Sequence, residues 1–414
     1  MKTKYWLILV FLMLLYHYNV YFPFLFTHTR KYFFVWGVFL LLSHRRNLVI
    51  DIPKKARSSF ICSTAVIIIM TIISTFRGEL ELMAIQIPIS FIVNMFAAYP
   101  IVYLIYKWSN DVNGKIILNY AITILIFAIV VNNMIAISKL FMPSFYDILM
   151  RLQVQDESVS ESITIIDAYR LGGWGENLIF SGGPSSALCI LLSMYKYCKT
   201  SVPYEKVLYA IIMVFVLFSG ILIARTTLIG IPLAGLVLVH YIVNVKSFIK
   251  TIFIAIILVI ITVILFIYIT PMLDDKMSKW AFELIFNFMD EGEVSGESAN
   301  ELKGMWDILP TNIDTWLLGD GYFKSSTGNY YKGTDVGVMR IIFFIGLIGL
   351  FAIFKLFMVF FLTKKADKDT QALLKVLFIW FVVMNLKGVF LPIHVACLFS
   401  IINNLKIKKL YEQT

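Results

Sequence analysis

The chain has 414 residues, of which 59% are hydrophobic and 15% charged, with a formal net charge of +10. A soluble domain carries roughly a quarter charged residues, so composition alone excludes a water-soluble globular fold. The basic balance does not indicate nucleic acid, because Lys and Arg fall in short loops while Asp and Glu collect in two long ones.

Apolar runs of about 17–25 residues recur from end to end, each long enough to cross a hydrocarbon core. In chain order they predict spans at 5–26, 30–43, 59–76, 84–106, 116–137, 178–197, 207–224, 227–245, 251–270, 338–363, 372–386 and 388–404, about twelve in all. The first follows Lys2 and Lys4 and leads into Thr27-His28-Thr29-Arg30-Lys31 rather than a small-residue cleavage site. It is therefore expected to be a retained span, not a signal peptide. Short loops at 44–57, 107–115, 196–206, 246–250 and 364–368, and the tail 406–409, hold most of the Lys and Arg. They mark the cytoplasmic face and place both termini there. The predicted fold class is an all-α polytopic membrane protein in a bacterial cytoplasmic (inner) membrane. One integral domain covers 1–414, and large extracytoplasmic loops run over 138–177 and 271–337.

No period of 20–50 residues is visible, which argues against a repeat architecture. Cys62, Cys189, Cys198 and Cys397 lie in or at the ends of apolar runs without metal or disulfide spacing, and packing explains them. None of His17, His28, His44, His240 and His394 is spaced for a metal. Motifs for a phosphate-cradling glycine loop, a zinc protease or a nucleophile elbow are missing. No cofactor and no metal are expected.

Chemistry is expected in the outward loops. The first carries Arg151, Asp156, Glu157, Glu161, Asp167 and Arg170, then Gly172-Gly173-Trp174-Gly175-Glu176-Asn177. The following span opens with Gly182-Gly183-Pro184-Ser185-Ser186, residues that permit close helix packing or leave room for a ligand. Arg225, in Ala224-Arg225-Thr226-Thr227, occupies a tight outward turn. It is either a snorkelling interface anchor or a functional cation. Arg77, Arg170 and Arg340 are placed similarly, and such a set is what pyrophosphate would require, because guanidinium groups pair bidentately with phosphate.

The second loop contains the acidic run Asp290-Glu291-Gly292-Glu293, expected to be solvated scaffold with a divalent-cation site as the alternative, and Leu318-Gly319-Asp320-Gly321-Tyr322. It closes on Thr334-Asp335-Val336-Gly337. Asp335 lies just before an apolar helix and either caps it or acts as a general base. Asp320, between two glycines, is expected to order a turn. Tyr322, Tyr330 and Tyr331 offer rings that stack on sugars or pack the loop.

Two segments carry a resemblance to a family. They are Ser219-Gly220, Ala224-Arg225-Thr226-Thr227-Leu228-Ile229-Gly230, and Leu318-Gly319-Asp320-Gly321-Tyr322 with Thr334-Asp335-Val336-Gly337 and Gly346-Leu347-Ile348-Gly349. Together with the hydropathy layout they resemble the bacterial O-antigen and capsule repeat-unit polymerases of the Wzy type, relatives of the O-antigen ligases. The motifs cover about a tenth of the chain and are degenerate.

The resemblance implies a GT-C-like glycosyltransferase architecture and an undecaprenyl-pyrophosphate-linked oligosaccharide substrate at the outer membrane face. The growing chain would pass from its lipid pyrophosphate to a sugar hydroxyl of the next repeat unit, by inverting transfer without a metal. Membrane lipids and a chain-length regulator protein are the implied partners. Arg225 matches the arginine of the turn motif. Asp335 stands eleven residues before Gly346, where the ligases carry His, a departure that favours polymerase. The spaced Arg–Gly pattern of some polymerases is not cleanly present, since Arg170 meets Gly182 and Gly183 too soon. The expected roles are Arg225, with Arg170 or Arg340, on the leaving pyrophosphate and Asp335 on the acceptor hydroxyl. Arg77, Arg340, Gly321, Tyr322 and Lys324 are expected to bind substrate.

Two rivals remain. A flippase or transporter for the same lipid-linked sugar predicts internal repeats, charges at mid-membrane depth and short loops on both sides, whereas this sequence has no repeat, few mid-span charges and one-sided long loops. A ligase would cap a lipid core once instead of giving a ladder of polymer lengths.

Overall fold

The computed structural model describes residues 2–44, 48–78, 81–109, 114–153, 170–175, 178–241, 264, 267–268, 270–273, 275–291, 296–325, 328–362 and 366–407. In chain order the helices are α1 (Thr3–Tyr18), α2 (Thr29–His44), α3 (Lys54–Arg77), α4 (Met83–Ser109), α5 (Gly114–Phe141), α6 (Pro143–Arg151), α7 (Leu178–Lys199), α8 (Pro203–Ile223) and α9 (Gly230–Tyr241). They continue with α10 (Asp275–Glu291), α11 (Glu297–Trp306), α12 (Ile313–Leu318), α13 (Gly337–Phe361), α14 (Lys368–Met384) and α15 (Ile393–Asn403). Short strands β1 (Leu48–Ile50) and β2 (Leu405–Ile407) pair antiparallel, Val49 opposite Lys406. The protein is an all-α membrane protein in which α3, α4, α5, α8 and α13 are long and apolar enough to cross a bilayer. The expected span 251–270 lies largely outside the described residues, as do Glu79, Asp156, Glu157, Glu161, Asp167, Glu176, Asn177, Gly292 and Glu293.

The chain forms two compact units, Met1–Tyr32 with Leu104–Val294, and Phe33–Tyr103 with Ser295–Thr414. In the first, α5 is buried along most of its length, as expected of a helix that is apolar all round. Its two consecutive asparagines are buried and satisfied. Asn133 Nδ2 donates to the hydroxyls of Ser186 (3.2 Å) and Ser219 (2.9 Å), and Asn132 Oδ1 accepts from the Trp174 amide at 2.7 Å. The expected loop 138–177 is thus not all loop. α5 runs on to Phe141, α6 follows at once, and Leu171–Gly175 returns into the helices. Buried backbone needs partners. The Trp174 ring donates to the Leu149 carbonyl (2.9 Å), and the Gly175 amide donates to Gln153 (3.0 Å).

In the second unit, α13 is expected as one uninterrupted span, but it breaks at Ile345 and Gly346, the latter with φ +68°. A break leaves helical carbonyls without their usual amide partners. Those of Phe343 and Phe344 accept instead from the amides of Asp320 (2.6 Å) and Gly321 (3.2 Å). A side chain at Gly346 would begin 2.0 Å from the Leu317 carbonyl oxygen, so only glycine permits this approach. The stretch Leu318–Tyr322 and the Gly346–Gly349 motif are therefore two halves of one interlock. The loop 271–337 likewise is not all loop, holding α10, α11 and α12.

Between the last two helices, Asn385-Leu386-Lys387-Gly388 interrupts the apolar sequence, and Asn385, fully buried at the end of α14, organises the break. Its Nδ2 donates to the carbonyls of Phe381 and Phe390, and its Oδ1 accepts from the Phe390 amide. Its own carbonyl accepts from Val338 at the first turn of α13. Irregular backbone among buried helices is tolerated when protein satisfies it in this way.

Candidate functional site

In the first unit, the Leu171 amide donates to the Leu222 carbonyl at 3.0 Å. That bond fastens the segment starting at Arg170 to the end of α8, and Arg225 opens the short 3-10 turn Arg225–Ile229 that follows. Both guanidinium groups lie over the indole of Trp280, their central carbons 4.5 Å (Arg170) and 5.1 Å (Arg225) from the ring centroid. Trp280 is held by α10, whose Met277, Ala281 and Phe282 pack with Phe218, Leu222 and Ala224. One turn further along α10, Glu283 accepts a hydrogen bond from Arg225 Nη1 and forms an ion pair with it.

Arg170 makes no ion pair with a described residue. Burial, and then the charge of Arg225, hold its guanidinium below the ordinary arginine range. Among the described residues, two cations share one aromatic ring, and Glu283 pairs with Arg225. Such a site is suited to an oxyanion gripped by two planar forks. The small residues opening α7 serve close packing here. A Cβ on Gly183 would lie 2.0 Å from the Thr226 hydroxyl, and one on Gly220 would meet Ser186 and Thr227.

In the second unit, Asp335 does not cap α13. The N-cap position is Val336, and no side chain caps the helix. The carboxylate turns instead to Arg340, whose Nη1 lies 3.4 Å from Asp335 Oδ1. Burial raises the Asp335 carboxyl above its usual range, against the opposing pull of Arg340, Lys387 and a hydrogen bond with Tyr330. Arg340 is only 8% exposed. Its guanidinium carbon is 4.1 Å from the Phe323 ring centroid and 4.3 Å from that of Tyr330. Its Nε is buried with no hydrogen-bond partner, an uncommon state for a charged group. Burial, then the nearby Asp335 charge, pushes the Tyr330 phenol above its ordinary range. Helix α11 secures the approach to the site: the Met305 carbonyl accepts from the Thr334 hydroxyl, and the Met305 sulfur accepts from the Asp335 amide.

The remaining expected substrate-binding residues of this unit divide between fold and surface. Arg77 Nε donates to the Gly319 carbonyl at 2.8 Å and ties α3 to the interlock. Gly321, at φ +84°, sits so close to the Ser74 carbonyl that a Cβ would lie 2.2 Å from it. Both hold the loop. Asp320 orders the turn as expected, accepting from the hydroxyls of Thr315 (2.6 Å) and Tyr331 (3.3 Å). Burial, then Asp320, pushes the Tyr331 phenol up to about 12. Tyr322 stacks on Tyr331 with centroids 5.2 Å apart. Lys324 is exposed at the edge of a small bridge to Tyr330, and its amide and that of Phe323 donate to Glu81.

The sequence did not single out Glu81, Trp280, Glu283 and Phe323, and it marked Lys387 only as part of a polar interruption. Trp280 and Glu283 had a detectable signal, since they are three residues apart in an amphipathic helical stretch. No protein-family model matches the chain, and no curated protein matches it. Both sites are therefore read from their own residues.

Proposed function

We propose that the protein is a polymerase of lipid-pyrophosphate-linked oligosaccharide repeat units, working at the outer face of the bacterial cytoplasmic membrane. The observation that carries this reading is the gathering of Arg170 and Arg225 over Trp280. It answers the demand of the chemistry, in which a sugar is transferred away from a polyprenyl pyrophosphate and negative charge grows on the leaving group. Preorganised cations aimed at that charge supply the largest catalytic contribution in such reactions.

In this reading the acceptor sugar hydroxyl attacks the anomeric carbon as the bond from that carbon to the pyrophosphate oxygen breaks. The bonding electrons leave with the lipid pyrophosphate, and inversion follows from a single displacement. Arg170 and Arg225 are the phosphate-binding pair and take the charge-neutralising part a metal would otherwise play. Asp335, a residue of the second unit, is the carboxylate proposed from its own surroundings to take the hydroxyl proton. Burial raises its pKa above the usual carboxylate range, which strengthens the carboxylate as a proton acceptor. Tyr322 and the exposed Lys324 are sugar contacts on the same unit's surface.

The test uses a strain that depends on this chain for long surface polysaccharide. Arg225→Ala and Arg225→Lys should both collapse the ladder to single repeat units, since an ammonium cannot reproduce the bidentate fork. Long polysaccharide persisting in both variants at normal protein level would remove the proposed role. Wild-type product limited to one repeat capping a lipid core would indicate a ligase instead. Translocation of the lipid-linked sugar without polymer formation would indicate a flippase.

A further inference from the structure

Within the second unit, the end of α3 opposite Arg77 bears two adjoining grooves. From Lys54 to Arg77 the helix rises by about 35 Å, the thickness of a bilayer core with its boundary. One groove, of about 630 Å³, runs between the start of α3, the end of α13 and the start of α14, and includes Lys54, Lys55 and Lys375. The other, of about 550 Å³, is almost wholly apolar, lined by Phe60, Ile61, Phe91 and Phe360 among others, with Arg57 at its rim. Ala56, Val359 and Asn404 line both, so the two form one amphipathic channel.

Three features of this channel favour an anion with a polar head. Lys54, Lys55 and Arg57 crowd the first turn of α3, where no acidic residue and no capping side chain is found. Cations at the positive end of a helix dipole are unfavourable, and an anion there is favourable. None of Lys54, Lys55, Arg57 and Lys375 makes an ion pair with a described residue. Finally, Asn404, which lines both grooves, is 6% exposed, and its Oδ1 is buried without a hydrogen-bond partner. A buried acceptor left unpaired is costly and calls for a donor.

We propose that this channel holds one anionic phospholipid whose headgroup carries a hydroxyl, of the phosphatidylglycerol kind. Its phosphate sits among Lys54, Lys55 and Lys375, its headgroup hydroxyl donates to Asn404, and an acyl chain follows the apolar groove past Phe60 and Phe91. Free phosphate satisfies the cations but leaves the apolar groove empty, and a zwitterionic lipid brings its own cation against the lysines. The site lies at the other end of α3 from Asp335 and Arg340 and is independent of the reaction proposed above.

The experiment is native mass spectrometry of the full chain, delipidated and then incubated with equal amounts of phosphatidylglycerol and phosphatidylcholine of matched chains. The wild type should retain phosphatidylglycerol at least fivefold over phosphatidylcholine, and excess inorganic phosphate should not displace it. The Lys54→Gln/Lys55→Gln/Lys375→Gln variant should bring the ratio to parity. Asn404→Leu should lower retention of phosphatidylglycerol to that of phosphatidic acid, which lacks the headgroup hydroxyl. Should the triple variant fail to fold, the single Lys375→Gln change, at an exposed position of α14, should still lower the ratio measurably. Equal retention of the two lipids by the wild type overturns the proposal. So does a ratio unchanged in the lysine variants, or ready displacement by inorganic phosphate.

Discussion

Arg340 directs Nη1 at Asp335 Oδ1 across 3.4 Å while its Nε stays buried without a partner. The pair is loose for a buried ion pair, and the carboxyl remains raised in spite of it, because burial outweighs the guanidinium. Asp335→Asn keeps an acceptor for Arg340 but cannot take a proton. Polymer formation should be lost at unchanged protein level.

The pH dependence follows from the direction of that shift. Below its folded pKa the carboxyl is protonated and cannot serve as a base, so transfer activity should fall on an acid limb. The midpoint should lie above the ordinary carboxylate value of about 4. Stability runs the other way. A raised folded pKa means that ionisation is disfavoured in the fold, so Asp335 subtracts stability as pH rises through that pKa. A transfer assay with purified protein across pH reads the limb. An acid limb at or below the ordinary value, or an active Asn variant, would reduce Asp335 to a partner of Arg340.

Gly346→Ala should be among the most damaging single-methyl additions in the chain. It places Cβ in a left-handed conformation and 2.0 Å from the Leu317 carbonyl oxygen. The backbone strain alone is about 1–2 kcal/mol, and the clash adds to it. A fall in melting temperature of roughly 5 °C or more is expected in detergent. Gly235→Ala is the control: it lies within α9 with open space around it, and should change stability by less than about 1 kcal/mol, in the favourable direction. Equal effects at the two positions would mean the interlock contributes little.

The helices were legible because bilayer thickness imposes a length and an apolar composition on each, and both are properties of the sequence alone. The turn motif around Arg225 and the glycines at 319, 321 and 346 were also visible as unusual residues. Their shared purpose was not. That Asp320 and Gly321 donate to the carbonyls freed by the break at Gly346 depends on contacts between segments twenty-odd residues apart, which no periodicity reports. Arg225 was expected beside either Arg170 or Arg340, and the choice of Arg170 was not legible, since it depends on contacts such as the backbone bond from Leu171 to Leu222 and the shared ring of Trp280. Asp335 illustrates a different limit. Its position before a helix fits a cap and a base equally well, and only the direction of its side chain decides against the cap.

Glu283 occupies Arg225 with a carboxylate, the group that most resembles a phosphate oxygen pair in charge and shape. Incoming pyrophosphate must compete with it. Glu283→Gln removes the charge but keeps the size, so affinity for the lipid-linked donor should rise, with KM falling about threefold to tenfold for an interaction worth about 1 kcal/mol. Maximal rate should change little. Glu283→Lys would add a third cation beside Arg170 and Arg225 and should perturb folding. A higher KM in the Gln variant would show that Glu283 aims Arg225 rather than competing for it.

Trp280 is the surface on which both guanidinium groups rest, and Arg170 has no described ion pair to hold it otherwise. Cation–π contacts of this kind contribute about 0.5–2 kcal/mol each. Trp280→Phe keeps a smaller ring face and should cost only a few-fold in kcat/KM. Trp280→Ala removes the platform for both arginines, and the two losses together should lower kcat/KM by roughly 10- to 100-fold. The melting temperature separates this from a packing defect, because Met277, Ala281 and Phe282 carry the contact of α10 with α8 and remain in place. Activity surviving in Trp280→Ala would mean that the arginines are positioned by other groups. A fall in melting temperature that accounts for the whole activity loss would make Trp280 a packing residue and leave Arg170 without a role.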